Sequence, residues 1–298
     1  MHNPSRKGEK YMSRYLNPTN DIAFKKLFGT VEHEPLLISF LNAILGLENK
    51  RKIKKIELLP LEQQPDIKEG KTSILDVKCT DERGFQYVVE MQNKQVSGFL
   101  KRSQYYAAHT YVTQALKGMK HLELKPVILL AIANYNLFSN KDAVVSYHKT
   151  LDMNTYENDL EDLSYVFVEL PKFSKKEDEL VTVQDKWIYF FKNWHECNEV
   201  PATIDEPELI EAFRSMEEYN WTAAEMDIYI KMNIALTERD ATMEEKFEKG
   251  LEKGREEGRE EGRMEERRKN AKAMLALGVL RDQVKKIMSL TDEDLEDL

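Results

Sequence analysis

The stretch from Leu75 to Gln92, LDVKCTDERGFQYVVEMQ, is typical of a β-hairpin. Both arms are rich in β-branched and aromatic residues, as strands are, and DERG between them supplies a turn. If residues 82–84 form the loop, Gly84 takes the third position, which favours a left-handed backbone. A three-residue loop centred on Arg83 places Asp76 opposite Glu90 on one face of the hairpin.

Two carboxylates opposed across neighbouring strands need compensation. Directly opposed residues have Cβ atoms roughly 4.5–5.5 Å apart, and like charges there are destabilising. A hard divalent cation such as Mg²⁺ would compensate, because it prefers carboxylate oxygens and water. It could also generate a hydroxide and stabilise a phosphoryl transition state. The alternative is that one strand lies at a sheet edge and that the acids face water or pair with Lys78 and Lys101.

The sequence around the hairpin predicts alternating helices and strands. A helix is expected over NPTNDIAFKKLFG (17–29), with Thr19 or Asn20 as N-cap and Gly29 as its end. Further helices are expected over 35–45 and from Ser97, as N-cap, to Lys117. The expected strands are 52–61, 72–80, 85–92 and the apolar run 125–133. The order helix, three strands, helix, strand predicts an α/β fold with a mixed central sheet flanked by helices.

The remainder of the chain predicts two further strands and a helical extension. Strands are expected over 143–150 and 165–170, and helices over 184–194, 207–219 and 223–239. A charged segment then carries glycines at 250, 254, 258 and 262. On a helix these glycines form a smooth stripe that could let two soluble helices approach closely, so that the chain self-associates as a homo-oligomer. A solvated spacer helix explains the same pattern.

Composition excludes several classes of protein. Charged residues make up 33% and hydrophobic residues 41% of the chain, which is polar without being as poor in apolar residues as a disordered chain. The longest apolar run, 127–133, is far shorter than the ~20 residues of a membrane helix. The start, MHNPSRKGEKYMSRY, lacks the apolar centre of a secretory signal. Cys79 and Cys197 form no disulfide framework or CxxC pattern. We therefore expect a cytoplasmic protein with neither a membrane nor a disulfide partner.

The net charge of −9 is distributed unevenly. Residues 1–135 hold 21 basic and 14 acidic residues, whereas residues 136–298 hold 23 basic and 39 acidic ones. Such asymmetry hints at a polyanion-binding portion joined to an acidic one, and chance segregation on two solvated surfaces is an equal alternative. Phosphate-loop, dinucleotide, HExxH and GxSxG motifs are absent from the sequence, and its six histidines lie in no metal-ligand spacing.

Together these motifs resemble the PD-(D/E)XK nuclease superfamily. More narrowly they resemble the Rpn family of recombination-promoting nucleases, also described as PD-(D/E)XK nuclease family transposases. The resemblance rests on NPTNDIAFKKLFG, the hairpin, FLKRSQYYAAHTY on the following helix, and the glycine-punctuated tail. It runs from about Leu16 to the C-terminus, so that Met12 is an alternative start to Met1.

The resemblance implies a restriction-endonuclease-like core, ordered α-β-β-β-α-β, with a helical C-terminal extension. The implied domains are a nuclease-like domain, a helical extension, a charged glycine-punctuated helix and a short helical hairpin. Their residues are 16–195, 196–243, 244–270 and 271–298, respectively. Within the hairpin, Gly278 is expected to end the first helix, and Thr291 and Asp294 are expected to form a capping box.

The resemblance further implies a metal-dependent DNA endonuclease with Asp76, Glu90 and Gln92 as catalytic residues. Asp76 and Glu90 match the metal-binding acids, and Asp21 on the first helix matches a recurrent acid that could be a further ligand. A carboxylate favoured by the helix dipole is the alternative for Asp21. Gln92 stands where the superfamily usually has lysine. Glutamine can hydrogen-bond a water but cannot neutralise a phosphate.

Basic residues near these positions are the implied DNA contacts. The implied DNA-binding residues are Lys25, Lys78, Lys94 and Arg102. Lys78 or Lys94 could supply the charge that Gln92 lacks. Arg102, together with Gln104 and Tyr105, matches the polar positions of the helix after the hairpin, where it would touch phosphate or simply support the sheet.

Three functions remain open at the level of sequence. The first is a Mg²⁺-dependent, or otherwise divalent-cation-dependent, endodeoxyribonuclease associated with recombination or mobile elements. The second is a catalytically weak or inactive nuclease fold that serves as a binding or assembly module and self-associates through its C-terminal helix. The third is a ribonuclease. Gln92 in place of lysine is the feature that keeps the second hypothesis open.

Overall fold

The computed structural model describes residues 14–63, 73–74, 76–115, 120–291 and 293–294. Its helices are α1 (Asp21–Phe28), α2 (Glu34–Ile44), α3 (Phe99–Val112), α4 (Val183–Asn193), α5 (Pro207–Ser215), α6 (Ala223–Ala276) and α7 (Arg281–Met288). Its strands are β1 (Ile56–Leu58), β2 (Glu62–Gln63), β3 (Ser73–Ile74), β4 (Val77–Asp81), β5 (Gln86–Gln92), β6 (Val127–Ala133), β7 (Val145–Lys149) and β8 (Leu163–Glu169).

The main sheet has six strands in the order β1-β4-β5-β6-β8-β7, and β2 and β3 form a small separate hairpin. The strands β5, β6 and β8 run parallel to one another, whereas β1–β4, β4–β5 and β7–β8 are antiparallel pairs. The sheet is therefore mixed, and α1, the strands β1, β4 and β5, α3 and β6 follow in the predicted order. The predicted α/β fold is confirmed.

The two faces of the sheet are covered differently. The larger core joins Val89 and Met91 of β5 to the side chains of α1, α2, α4 and α5. Aromatic rings fill much of it, with the ring centroids of Phe28 and Phe40 only 4.9 Å apart. The opposite face packs Val88 against α3 in a second cluster. As a result β6 is buried on both faces, which its continuous apolar run predicts.

Local signals place α1 as the sequence predicts. The side-chain oxygen of Asn20 accepts a hydrogen bond of 2.9 Å from the backbone N–H of Ile22 and so caps the helix. The helix ends at Phe28, and Gly29 is its C-cap. Asn20, rather than Thr19, is therefore the N-cap. The start of α1 carries Asp21.

Two predicted elements have the wrong boundaries. The helix after the hairpin begins at Phe99 behind Gly98, whose φ of +80° turns the chain sharply, so Ser97 is not its N-cap. That helix ends at Val112, short of the predicted end at Lys117, a residue that lies outside the described part of the chain. The strand predicted over 52–61 is confined to β1, because a 3₁₀ turn precedes it and Pro60 has no N–H to donate to a ladder.

The β4–β5 hairpin has the predicted register. Val77 pairs with Val89 and Cys79 with Tyr87, which is the pairing of a three-residue loop centred on Arg83. The backbone N–H of Gly84 donates to the carbonyl of Asp81 at 2.9 Å, and Gly84 has a φ of +85°. The parity argument is therefore confirmed, and Val88 and Glu90 face the α3 side of the sheet. Within the first arm, Thr72 and Leu75 lie outside the described residues.

The chain divides into two compact units, Met1–Ile230 and Lys231–Leu298. The second unit holds most of α6, whose side chains from 244 to 263 are exposed, and α7. Ala271, Val284 and Leu290 form a small core of their own there. The predicted Gly278 stop is confirmed by its φ of +85°. The capping box is confirmed too, since the backbone N–H of Thr291 donates to the Asp294 carboxylate and the backbone N–H of Asp294 donates to the Thr291 hydroxyl.

Within the described ranges, no helix combines the length and the apolar character needed to cross a bilayer. The longest helix, α6, carries densely alternating charged residues.

Candidate active site at the end of the hairpin

The predicted acids meet where β4 begins and β5 ends. Asp76 lies in a bend directly before β4, and Glu90 and Gln92 lie on β5. Sequence alone places Asp76 within a strand, and this detail is wrong. The bend brings the Asp76 side chain back onto the backbone of β5, where its Oδ2 accepts a hydrogen bond of 2.8 Å from the N–H of Met91.

Asp76 and Glu90 are held side by side by reciprocal backbone hydrogen bonds. While the Asp76 carboxylate accepts from Met91, the backbone N–H of Asp76 bonds the Glu90 carboxylate. Glu90 is 4% exposed, and its strand lies between β4 and β6 in the sheet interior. The alternative that the acids face water from an edge strand is therefore wrong, because β1 and β6 cover both sides of the hairpin.

Burial dominates the electrostatics of the pair. Desolvation, followed by the charge of Asp76, raises the pKa of Glu90 to about 8. Desolvation also raises the pKa of Asp76, to which the Asp21 charge contributes, while the Met91 N–H and the charges of Lys25 and Arg102 oppose the shift. The site therefore holds two carboxyl groups that resist simultaneous ionisation without a further cation.

Two basic side chains reach this pair from opposite faces of the sheet. Lys25 on α1 places its Nζ 3.8 Å from Oδ1 of Asp76. Arg102 on α3 donates from a terminal guanidinium nitrogen to Oε1 of Gln92 at 2.8 Å. Asp21, Lys25, Asp76, Glu90, Gln92 and Arg102 are thus brought together at one end of the hairpin.

The other two predicted DNA contacts lie apart from this group. Lys78 is opposite Val88, two residue pairs along the hairpin from Asp76 and Glu90, and is half-buried. Desolvation lowers the pKa of Lys78. Lys94 is exposed two residues beyond the end of β5. Their roles stay predictions.

Asn93 is a site residue that sequence reasoning missed. Its side-chain amide donates to the backbone carbonyl of Thr19 and thereby ties the end of β5 to the start of α1. This contact positions Asp21 and Lys25 next to the hairpin. No local signal could reveal it, because the two residues are 74 positions apart.

The donor set suits a hard divalent cation. Oε1 of Glu90 is buried without a hydrogen-bond partner, so one carboxylate oxygen remains available beside Asp76. Mg²⁺ is usually bound through one or two carboxylates, with waters and substrate phosphates completing its shell. In the described part of the chain, no three or more His, Cys, Asp or Glu residues are grouped so that they could hold a metal. Asp76 and Glu90 therefore fit as a two-carboxylate site, and Asp21 as a third ligand stays a prediction.

Comparison with known proteins agrees with the fold. The family model described as PD-(D/E)XK nuclease family transposase matches residues 18–246, which include the hairpin and the helices on either side of it. No curated protein and no solved structure gives a significant match. Nucleases of this kind typically use divalent metals. The family match covers far more than half of the chain, and the protein belongs to the PD-(D/E)XK nuclease family transposases.

Proposed function

We propose that the protein is a metal-dependent DNA endonuclease whose metal-binding residues are Asp76 and Glu90. The observation that supports it best is the pair of buried carboxylates, held together by reciprocal backbone bonds, with one oxygen left unpartnered. A fold tolerates such a pair at low cost only if one carboxyl group keeps its proton or a cation compensates the second charge, and a bound cation would do the latter. Family membership adds that the chemistry is of the nuclease type.

In phosphodiester hydrolysis the acidic and the basic residues of the site would have different roles. A bound divalent cation would supply Lewis acidity at the phosphate and a more acidic water. Asp76 and Glu90 would hold that cation, and Lys25 offsets their negative charge from the α1 side. Lys25, Arg102, Lys78 and Lys94 would contact the DNA backbone, as the basic N-terminal portion of the chain would more broadly. A role in recombination or mobile-element biology, in the cytoplasm, is part of the same proposal.

The test is nicking of supercoiled plasmid DNA with Mg²⁺ or with EDTA. The wild-type protein should nick only with the divalent cation, and Asp76→Ala should lose at least about 10²-fold in rate, as is usual when a charge-stabilising group is removed. Glu57→Ala is the matched control, because Glu57 is an exposed acid on the adjacent β1 strand. Its rate should equal that of the wild type.

The competing function is a nuclease fold retained as a binding or assembly module. The observation that favours it is the exposed apolar surface of α6, where Met243, Phe247 and Leu251 are 64%, 71% and 58% exposed. A protein that binds DNA or self-associates, but cuts with neither Mg²⁺ nor Mn²⁺, would support this function and contradict the endonuclease. Cleavage of RNA but not DNA would instead point to a ribonuclease.

A further inference from the structure

Gln92 and Arg102 form a hydrogen-bonded pair beside the two acids. A terminal nitrogen of the Arg102 guanidinium donates to Oε1 of Gln92 at 2.8 Å. The other end of the Gln92 amide, Nε2, donates to the carbonyl of Met91 at 3.1 Å. Both polar atoms of the Gln92 side chain are therefore engaged, one of them by a positive charge. This arrangement fits a residue that holds another side chain better than one that orients a water.

Packing against aromatic rings restricts the Arg102 guanidinium to its position beside Gln92. Its central carbon lies 5.2 Å from the ring centroid of Phe99 and 5.8 Å from that of Tyr106. Phe99 is itself buried against Phe167, with ring centroids 6.5 Å apart. The guanidinium thus has aromatic rings beside it and an amide at one end, which leaves it little freedom to turn away from the site.

The buried Nε of Arg102 is a hydrogen-bond donor without a partner. Oε1 of Glu90, on β5, is a buried acceptor without a partner. An unsatisfied donor and an unsatisfied acceptor, both buried, are costly unless a bound ligand group or water satisfies them. The charge of Arg102 acts on both Asp76 and Glu90, which places it within electrostatic range of the metal-binding pair.

We propose that Arg102 is the phosphate-binding cation of this site and that Gln92 is a positioning residue that holds it there. The positive charge that the superfamily usually places on the hairpin strand as lysine would then come from α3. The planar guanidinium suits phosphate, because it can donate two parallel hydrogen bonds to phosphate oxygens. This inference rests on the proposed endonuclease function.

Other cations are less well placed for this role. Lys25 is already engaged by Asp76 at 3.8 Å and offsets that charge. Lys78 lies two residue pairs away from the acids, opposite Val88. Lys101, the neighbour of Arg102 on α3, is exposed and points to a different side of the helix, since consecutive helical residues are about 100° apart. Lys101 is therefore the matched control for Arg102.

The test compares Arg102→Gln, Gln92→Ala, the double variant and the swapped variant Gln92→Lys/Arg102→Gln in plasmid nicking. Arg102→Gln should lower kcat by about 10²-fold with a smaller change in KM. Gln92→Ala should lower it less. The double variant should be no worse than Arg102→Gln alone, because a positioning residue has nothing left to position. The swapped variant should recover at least about tenfold of the loss, since it returns the charge to the strand.

A second readout does not need cleavage. Affinity for a fluorescein-labelled DNA duplex, measured by anisotropy in EDTA over a range of salt concentrations, should show a salt slope about one smaller for Arg102→Gln. Lys101→Gln should keep the wild-type kcat. Multiplicative losses in the double variant, no recovery in the swapped variant, or an equal kcat loss in Lys101→Gln would overturn the proposal. If the wild type fails to cut, the endonuclease function fails, and an unchanged salt slope for Arg102→Gln would then overturn the phosphate contact independently.

Discussion

At the scale of single residues, the most consequential side chain is Glu90. It is 4% exposed on an inner strand, beside a second carboxyl group, and its pKa is raised to about 8. A folded-state pKa above the unfolded value means that the folded protein binds the proton more tightly. Stability is therefore fully present below the ordinary pKa of 4.5 and is lost as the pH rises toward the folded value of about 8.

Replacing Glu90 by glutamine should remove this loss. We expect the free energy of unfolding of Glu90→Gln at pH 9 in EDTA to exceed that of the wild type by on the order of 2 kcal/mol. At pH 4 the two values should differ little. Urea denaturation at the two pH values measures both. Glu57→Gln, an exposed acid on β1, serves as the control and should show no such pH-dependent gain. A variant no more stable than the wild type at pH 9 would contradict the burial argument.

At the scale of elements, the hairpin loop sets which side chains share a face. The three-residue loop aligns Val77 with Val89, and a loop shorter or longer by one residue would turn Glu90 to the opposite face. Gly84 permits this loop because its φ is +85°. A Cβ at Gly84 would also meet the side chain of Lys125 at 3.2 Å.

Gly84→Ala should therefore destabilise the protein. A left-handed conformation costs an L-residue roughly 1–2 kcal/mol, and we expect that loss in the free energy of unfolding by urea denaturation. Gly254→Ala is the control, because it lies in the middle of α6 with no atoms near the added Cβ. Alanine there should stabilise the helix, because its helix propensity is more favourable than that of glycine by up to ~1 kcal/mol. Equal effects of the two substitutions would show that the left-handed position does not matter.

At the scale of the whole molecule, the chain separates into two compact units at Ile230. The residues of the candidate site all lie in the first unit, and its larger core contains residues from Tyr15 to Tyr229. The side chains from 244 to 263 are exposed along α6. Few apolar contacts therefore hold that segment to a core, which indicates that the first unit folds without it.

A protein that ends after Arg239 should remain soluble and unfold cooperatively. We expect its thermal unfolding, followed by near-ultraviolet circular dichroism, to stay a single sharp transition close to that of the full chain. Its metal-dependent nicking of plasmid should persist, because Asp76, Glu90 and Arg102 are retained. The full-length protein is the comparison. Loss of the cooperative transition would mean that residues 240–298 contribute to the core after all.

Local rules account for what the sequence by itself determined. The cap at Asn20, the glycine loop and the alternation along β5 each depend on residues within a few positions of one another, so backbone sterics and short hydrogen bonds decide them. The parity that puts Asp76 next to Glu90 follows from the same short-range geometry. The predicted order of helices and strands rests on hydrophobic periodicity, which is also local.

Only the tertiary structure decided whether the acids are buried and which basic side chains lie beside them. The burial of Glu90 depends on β6, which pairs with β5 from far along the chain. The contact between Arg102 and Gln92 depends on how α3 rotates about its own axis, and the packing of Phe99 against Phe167 of β8 sets that rotation. The strand pairing and the ring contact join residues distant in sequence, and their free energies arise from close packing that no local pattern encodes.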